Sequence, residues 1–507
     1  MSPIKILPVE TIRDLDSYTI AKEPVRSIDL MERAAHKCYE WIVKRITGIR
    51  TFRIICGMGN NGGDGLAIAR KLNKDGHNVE VYYIRHSSEA SEDNRKNFEK
   101  ISDVAGLVVT EIFEEDPTIE IDDDDIVIDA LLGSGLNKPV KGFLTEIIRQ
   151  INESNAYIIS IDMPSGLMAD ELIADPAKYS IVNADYTLTF QMPKLAFFLP
   201  ENERFVGEWK ALDIGLHKDF IKGAKSHFHY TRKKDCIELY KSRNKFAHKG
   251  NFGHGLLIAG SLGKMGAAIL AAKAALRAGA GLITAHIPLT GIEPMLMTIP
   301  EAMVSPDDSE THFTILPDLN PYNAIAIGPG LGTHIESQNA MKFLIQEVRK
   351  PLIIDADGLN ILAENKTWLS FLPPDSILTP HPKEFERLTS KVDNHLNRLE
   401  ILRAFSVRFK VNVILKGAYS AVSTPEGDVF FNPTGNPGMA TGGTGDVLTG
   451  ILLGLRASGY SPKETCILGT WLHGKAGDIA AGKLSQPALI ASDITENLGK
   501  AFLKLIK

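Results

Sequence analysis

Apolar and polar positions along the chain follow two alternating rhythms. Short β-branched runs read as strands, and the stretches between them, with apolar residues every three to four positions, read as helices. In the first half the strands are FRIIC (52–56), VEVYYI (79–84), IVIDAL (126–131), YIISID (157–162) and YTLTF (186–190). The rhythm breaks at a polar, charge-rich segment, KSHFHYTRKKDC (225–236), and restarts at GLLIAG (255–260). AIAIG (324–328), LIIDA (352–356), SILTP (376–380), VILKG (413–417) and SAVST (420–424) follow. Strands alternating with helices predict an α/β fold with mostly parallel sheets. At 507 residues the chain exceeds one ordinary core. The break near residue 225 therefore predicts two domains, 1–224 and 225–507.

Composition narrows the function classes. With 62 acids against 56 bases the net charge is -6, and no Lys/Arg-dense block marks a nucleic-acid or polybasic membrane surface. Cys38, Cys56, Cys236 and Cys466 lie too far apart for a zinc site or a disulfide framework, which fits a reducing, cytoplasmic setting. The N-terminal MSPIKILPVE lacks a signal-peptide core, and the longest apolar tract, 265–287, is interrupted by Lys273 and Arg277, so no membrane segment is expected. Asp122 to Asp125, just before a strand, reads as a solvated loop.

Two glycine-rich loops hold the candidate chemistry. GMGNNGGDG (57–65) follows a strand and opens a helix, and Gly57, Gly59 and Gly62 fit a dinucleotide fingerprint with Glu80 as the possible ribose acid. Asn60, Asn61 and Asp64 depart from that fingerprint, because amides and a carboxylate stand where phosphate would approach. Asp64 can also be read as a helix cap. Loops after the carboxyl ends of parallel strands converge, so Asn61, Asp129, Asp162 and Ser165 are expected to meet in one crevice, offering oxygens to a hard cation.

The second loop is NPGMATGGTGDVLTGILLGL (436–455). Gly442, Gly443 and Gly445 leave helix N–H groups open to a phosphate, while Asp446 behind them is placed to take a proton from an attacking hydroxyl. That layout suits phosphoryl transfer, although no Walker sequence occurs there and Asp446 as a simple helix cap is the competing reading. GPGLG (328–332), DADGLN (355–360), TPHPKE (379–384) and KGAYS (416–420) surround it in the strand order, with Lys416 placed to neutralise nucleotide phosphate. Taken singly, His381 is more often a structural loop residue than a catalyst.

The co-occurrence of GMGNNGGDG, IDALLGSGL and SIDMPSG, with IDLMERAA (28–35) upstream and Lys194 in QMPKLA, resembles the NAD(P)H-hydrate epimerase family over roughly residues 1 to 220. That resemblance implies a Rossmann-like three-layer sandwich. It implies potassium (K+) held by Asn61, Asp129 and Ser165, and a hydrated cofactor bound by Asn60, Asn61, Gly62, Gly63, Asp64, Gly133, Ser134, Gly135, Leu136 and Asp162. Asp162 is then the candidate acid/base, with Lys194 beside it. Met58 stands where the family commonly has proline.

From about residue 230 the chain resembles the ADP/ATP-dependent NAD(P)H-hydrate dehydratases, a branch of the ribokinase-like superfamily. The resemblance implies hydrated-cofactor contacts at Ala267, Gly330, His381 and Asp446, and nucleotide contacts at Lys416, Gly417, Ala418, Tyr419, Ser420, Gly442, Gly443 and Gly445. Magnesium (Mg2+) accompanies ADP or ATP, and a homo-oligomer is expected on the same ground. At 261–268 the family usually has an aromatic where Lys264 or Met265 stands. Together the halves imply a bifunctional enzyme repairing hydrated NADH and NADPH, with Asp446 as the dehydratase base. Two alternatives stay open: a small-molecule kinase that releases its phosphorylated product, and a first domain that binds a nucleotide without turnover.

Overall fold

The computed structural model describes residues 3–171 and 178–506. It divides into two compact units, one spanning 5–226 together with 394–396, the other 1–4 together with 227–393 and 397–507.

In the first unit, helices α1 (Val9–Lys22) and α2 (Ser27–Arg45) precede β1 (Thr51–Cys56), α3 (Asn60–Lys74), β2 (Asn78–Ile84), α4 (Glu92–Ser102), β3 (Val108–Ile112) and β4 (Ile126–Ala130). After these come α5 (Leu144–Glu153), β5 (Tyr157–Ile161), β6 (Tyr186–Phe190) and β7 (Glu208–Leu212). The sheet order is β3-β2-β1-β4-β5-β6-β7, with every neighbouring pair parallel. Because side chains alternate across a strand, Ile54, Cys56, Ile128 and Ile159 enter one core with Leu66, Ile68 and Trp41, while Ile55, Val127 and Ile158 enter a second with Ile147, Ile148 and Ile151. Both faces are thus covered by helices, which makes the expected three-layer sandwich. The chain starts at β1, winds out to β3 and returns at β4 on the other side. The loops after β1 and β4 therefore flank the point where strand order reverses, where α/β sheets bind ligands.

The second unit begins with β8 (Phe228–Tyr230), β9 (His254–Ile258), α6 (Met265–Arg277), β10 (Leu282–Ile287), β11 (Met303–Pro306), β12 (Ala324–Ile327) and α7 (Ile335–Glu347). Next come β13 (Leu352–Ile354), α8 (Asp357–Glu364), β14 (Ile377–Leu378), α9 (Pro382–Leu388), β15 (Asn412–Leu415), β16 (Ala421–Ser423) and β17 (Val429–Phe431). Helices α10 (Thr444–Ala457), α11 (Pro462–Leu484) and α12 (Ala491–Ile506) close the chain. Ten of the eleven strands of this sheet run in the order β8-β17-β16-β15-β14-β13-β12-β9-β10-β11. From β15 to β11 all pairs are parallel, and β16 is antiparallel to both neighbours. Here the order reverses between β9 and β12.

Several strands escaped the sequence pattern. β3, β7 and β11 are sheet edges with half-exposed side chains, so they lack the apolar density of central strands. β10 lies inside the long apolar tract, hidden behind the alanine-rich helix α6, and β8 sits within the polar segment read only as a boundary. Asp125 is also no solvated loop residue: it is buried and accepts a 2.8 Å hydrogen bond from Arg53 Nε. The four cysteines are free and buried. Among the described residues, no helix is long and apolar enough to cross a membrane.

Helices α6 and α10 meet backbone to backbone. A Cβ on Gly450 would lie 2.1 Å from the Ala271 carbonyl oxygen, and one on Gly454 2.3 Å from that of Ala275. Replacing Gly450 by alanine must separate the two helices, and overpacking of this kind costs roughly 1–3 kcal/mol. Gly450→Ala should lower the melting temperature of this unit, whereas Gly482→Ala, where a Cβ meets open space, should leave it unchanged or raise it. Differential scanning calorimetry of the two variants reads the contrast.

Candidate functional sites

In the first unit the loop Gly57–Gly59 turns sharply out of β1 into α3. Its glycines serve different needs. A Cβ on Gly57 would lie 2.0 Å from the Leu131 carbonyl oxygen, and one on Gly62 would lie 1.8 Å from the Gly57 carbonyl oxygen, so these two are demanded by packing rather than by a ligand. Only Gly59 faces open space. Asn94 on α4 clamps the turn, donating through Nδ2 to the carbonyls of Gly57 (2.9 Å) and Gly59 (2.8 Å) while its Oδ1 accepts from the Tyr83 hydroxyl (2.7 Å). Glu80, the possible ribose acid, is engaged instead by Arg53 on the adjacent strand. The dinucleotide fingerprint is therefore matched in spacing and not in use.

Asn61 is buried, and neither atom of its amide has a hydrogen-bond partner among the described residues. A buried amide without partners costs free energy unless a ligand satisfies it. Asp129, fully buried at the end of β4, is surrounded by donors: the Ser160 hydroxyl (2.7 Å), the Ser165 N–H (2.9 Å) and the Ser165 hydroxyl (2.5 Å). Burial raises its pKa and these bonds oppose the rise. Ser165 Oγ also lies 3.1 Å from the Leu132 carbonyl. The oxygens of Asp129, Ser165 and Leu132 thus cluster one loop away from Asn61.

Asp162 follows β5 with a left-handed backbone, φ +62°. A non-glycine residue there is strained, and strain of this kind persists only where surroundings impose it. Its N–H is tied to the Leu188 carbonyl at 2.7 Å. Its carboxylate accepts from the Ser134 N–H (3.1 Å), the Thr189 hydroxyl (3.3 Å) and the Lys194 ammonium (3.1 Å). Burial works to raise its pKa, but the Lys194 charge and the Ser134 bonds outweigh it and hold Asp162 below the usual aspartate range. Gly133 sits between the two clusters: a Cβ there would lie 3.1 Å from Asn61 Cβ and 3.4 Å from Asp162 Oδ2. Asn60 and Gly135 are exposed, with Leu136 N–H turned back to the Gly133 carbonyl at 3.3 Å.

Asp64 is not a helix cap. Gly59 holds the N-cap position, and Asp64 lies within α3, buried, accepting no hydrogen bond among the described residues. Burial, then repulsion from Asp162 and Asp16, drives its pKa well up and favours the protonated acid.

In the second unit, four strand ends and one helix start converge. The loops after β9 and β12 are stitched together: Ser261 Oγ donates to the Gly330 carbonyl at 2.7 Å and Gly260 N–H to the Pro329 carbonyl at 2.8 Å. Gly330 has φ +60°, and a Cβ on it would lie 3.0 Å from Ala267 Cβ, so those two positions are neighbours. Lys264, one of the two residues at the position where the family usually has an aromatic, pairs with Asp357 at 3.2 Å. Asp355, at the end of β13, is buried and accepts from Lys416 Nζ at 2.7 Å and from Thr449 Oγ1 on α10 at 2.6 Å.

The Gly442–Gly445 loop lies against this pair. A Cβ on Gly445 would be 3.2 Å from Lys416 Nζ and 3.7 Å from Asp355 Oδ2. Gly443, at φ +89°, is the N-cap of α10, so Asp446 is the third helical residue and not the cap. Its carboxylate takes no hydrogen bond among the described residues. Burial, then the negative charge of Asp355, pushes its pKa up to about 6, with Lys416 opposing. His473, on α11, lies 3.0 Å from the Thr444 carbonyl; a carbonyl only accepts, so Nε2 carries the proton. Burial pushes its pKa down to about 4, which keeps that ring neutral.

His381 caps α9. Its Nδ1 accepts from the N–H groups of Lys383 (3.2 Å) and Glu384 (3.3 Å), and Glu384 answers by accepting from the His381 N–H at 2.8 Å. The ring still stands in the field of Lys416 and Asp355. Gly417 and Ala418 are exposed, and Ser420 Oγ donates to the Gly417 carbonyl at 3.2 Å. Sequence patterns gave no role to Asp355, Asp357, Thr449 or His473. The first two stood in the quoted DADGLN segment after a strand, while the others carry no local signal.

A family model described as YjeF-related protein N-terminus matches residues 27–196, and one described as NAD(P)H-hydrate dehydratase matches residues 255–500. A bifunctional NAD(P)H-hydrate repair enzyme from Moorella thermoacetica is 36% identical over 502 residues, covering 96% of this chain and 94% of its own. A second, from Thermofilum pendens, is 32% identical with 99% and 97% covered. A Bacillus subtilis ADP/ATP-dependent NAD(P)H-hydrate dehydratase, co-crystallised with ATP and magnesium, is 30% identical over 54% of this chain and 97% of its own, with a TM-score of 0.48.

The raised pKa of Asp446 has a consequence for stability. An acid whose folded-state pKa lies above its unfolded value costs stability when ionised, and the cost is absent below about pH 4 and complete above about pH 6. Asp446→Asn should therefore raise the melting temperature of the second unit at pH 8 and leave it unchanged at pH 4, measured by thermal unfolding at the two pH values.

Proposed function

The chain belongs to the bifunctional NAD(P)H-hydrate repair enzymes, and we propose how its two units divide that task. The second unit dehydrates hydrated NADH and NADPH at the expense of ADP or ATP; the first interconverts the two epimers at C6. The observation that carries the reading is Asp446: an unbonded, half-buried carboxylate directly behind the glycines of a helix N-terminus, with the Lys416 ammonium alongside.

Hydroxide is a poor leaving group, so the C6 hydroxyl must first be converted into a better one. Asp446 takes the hydroxyl proton, and the oxygen attacks the terminal phosphoryl group of the nucleotide. N–H groups around Gly442, Gly443 and Gly445, with Lys416, stabilise the charge on that group. Phosphate then leaves C6 with the C6–O electron pair while C5 gives up a proton to water, restoring the C5=C6 double bond of the nicotinamide. The segment Lys416–Ser420 holds the nucleotide; Ala267, Gly330 and His381 hold the hydrated ring. Asp355 and Asp357 already have their oxygens occupied by Lys416, Thr449, Gly332, Asn360 and Lys264. Magnesium accordingly comes with the nucleotide phosphates and not in a protein cage. Kinase activity with release of a phosphorylated product is the weaker reading, since the matched family is a dehydratase.

In the first unit Asp162, kept ionised by Lys194, is the base. The orphaned Asn61 amide and the oxygens of Asp129, Ser165 and Leu132 make an all-oxygen donor set that suits potassium. A bound potassium ion would balance the buried Asp129 charge and fix the loops at the switch point. The free, buried cysteines agree with a reducing cytoplasm.

The decisive experiment follows recovery of reduced-nicotinamide absorbance from both epimers of hydrated NADH with ADP or ATP and magnesium. The intact chain should recover all of it once the non-enzymatic inversion is subtracted, and Asp446→Asn should lose at least about 10²-fold in rate, the low end for a general base. A full-rate Asp446→Asn would overturn the assignment. In the intact chain, kcat/KM for dehydration should rise with pH through about 6 and then level, because only the ionised Asp446 accepts the proton. Replacing potassium by choline should slow epimerisation and leave dehydration of the S epimer at its full rate.

A further inference from the structure

Helix α1 lies outside every motif, yet it lies over the crevice of the first unit. The N–H of Val9 donates to Asp170 Oδ2 at 2.8 Å, and Arg13 Nη2 donates to the Gly135 carbonyl at 3.3 Å. Both partners lie in loops that follow the carboxyl ends of strands, after β5 and β4. Arg13 and Asp16 stand three residues apart on one face of the helix, so Asp16 continues the face that the Arg13 contact turns toward the loop after β4. Farther along the helix, Thr19 is buried and its Oγ1 accepts from the His217 N–H at 3.0 Å, so α1 is held at its far end too. Asp162, Lys194 and Asp64 are close enough to Asp16 for their charges to act on it. Its own carboxylate accepts no hydrogen bond among the described residues.

We infer that Asp16 is the proton donor of the epimerisation, working opposite Asp162. The inference rests on placing the epimerase site at Asp162, as above. Two carboxylates whose charges act on each other stand in different environments. Lys194 holds Asp162 ionised, whereas burial, then repulsion from Asp162, pushes Asp16 up to about 6. Carboxyl groups driven apart in this way divide into a base and an acid.

The hydrated ring is a hemiaminal, with both the hydroxyl and N1 on C6, and inversion by ring opening needs such a pair. Asp162 takes the hydroxyl proton, and the O–H electrons close a C6 carbonyl. The N1–C6 electron pair stays on N1, which receives the proton of Asp16. Rotation about C5–C6 presents the other face of the aldehyde. N1 then adds to it and returns its proton to Asp16, while the oxygen recovers its own from Asp162. Nothing is oxidised or reduced, and both carboxyl groups end as they began.

The test uses the full chain with the R epimer of hydrated NADH and no nucleotide, following the epimer ratio by chromatography from pH 5 to 8 with potassium present. The intact enzyme should lose rate as pH rises through about 6. Asp16→Asn should lower kcat by about 10²–10⁴-fold, the range for a positioned acid, with KM little changed and the pH 6 dependence gone. Asp16→Glu should restore part of the rate. ADP-driven dehydration of the S epimer by the same variants should match the intact chain. The inference fails if Asp16→Asn epimerises at full rate, or if it is slowed with the pH 6 limb intact. It fails equally if the intact enzyme is flat from pH 5 to 8, a result independent of whether any variant folds. Asp162→Asn separates the two readings. Loss in Asp162→Asn alone overturns only the role of Asp16, and full rate in both variants overturns the placing of the site.

Discussion

Both units depend on contacts in which backbone meets backbone with no room for a side chain. In the first, Gly62 packs on the Gly57 carbonyl and Gly57 on the Leu131 carbonyl. This draws the loops after two neighbouring strands together and starts α3 at the point where strand order reverses. In the second, Gly450 and Gly454 let α10 settle on the backbone of α6. With that contact made, Thr449 reaches Asp355, Gly445 lies over Lys416, and Asp446 is left just behind the open helix end.

Those contacts also set the electrostatics. Each site buries several carboxylates and then treats them differently. Asp129 is saturated with hydrogen bonds, and Asp162 and Asp355 each have a lysine. Asp446, Asp16 and Asp64 have neither, so burial raises their pKa values. Leaving a carboxyl group buried without partners costs stability, and the same arrangement makes a proton acceptor or donor near neutral pH.

The pairing of two activities on one chain follows from the substrate. Hydration at C6 creates a stereocentre, and under the proposed assignment a site lined by Asp446, Ala267 and Gly330 is chiral. Such a pocket discriminates between epimers, because the wrong hand points its hydroxyl away from the base. An epimerase converts the rejected hand into the accepted one, so that no damaged cofactor is stranded.

Central parallel strands were legible because burial on both faces forces continuous apolar runs, as in IVIDA and AIAI. Edge strands such as VVTEI and EWKAL were not, since half of their side chains meet water. Residues at strand ends and helix starts in the glycine-containing motifs, Asn61, Asp129, Asp162, Lys416 and Asp446, could be singled out because loops of parallel sheets converge on one edge. Chemistry of that kind is a local property of the chain. Which glycines serve packing, that Glu80 belongs to Arg53, that Asp446 lacks a partner among the described residues while Asp355 has two, and that α1 bonds to the loops after β4 and β5 are different matters. Each is a relation between segments far apart in sequence, with an energy set by burial and by neighbours that only the folded chain supplies.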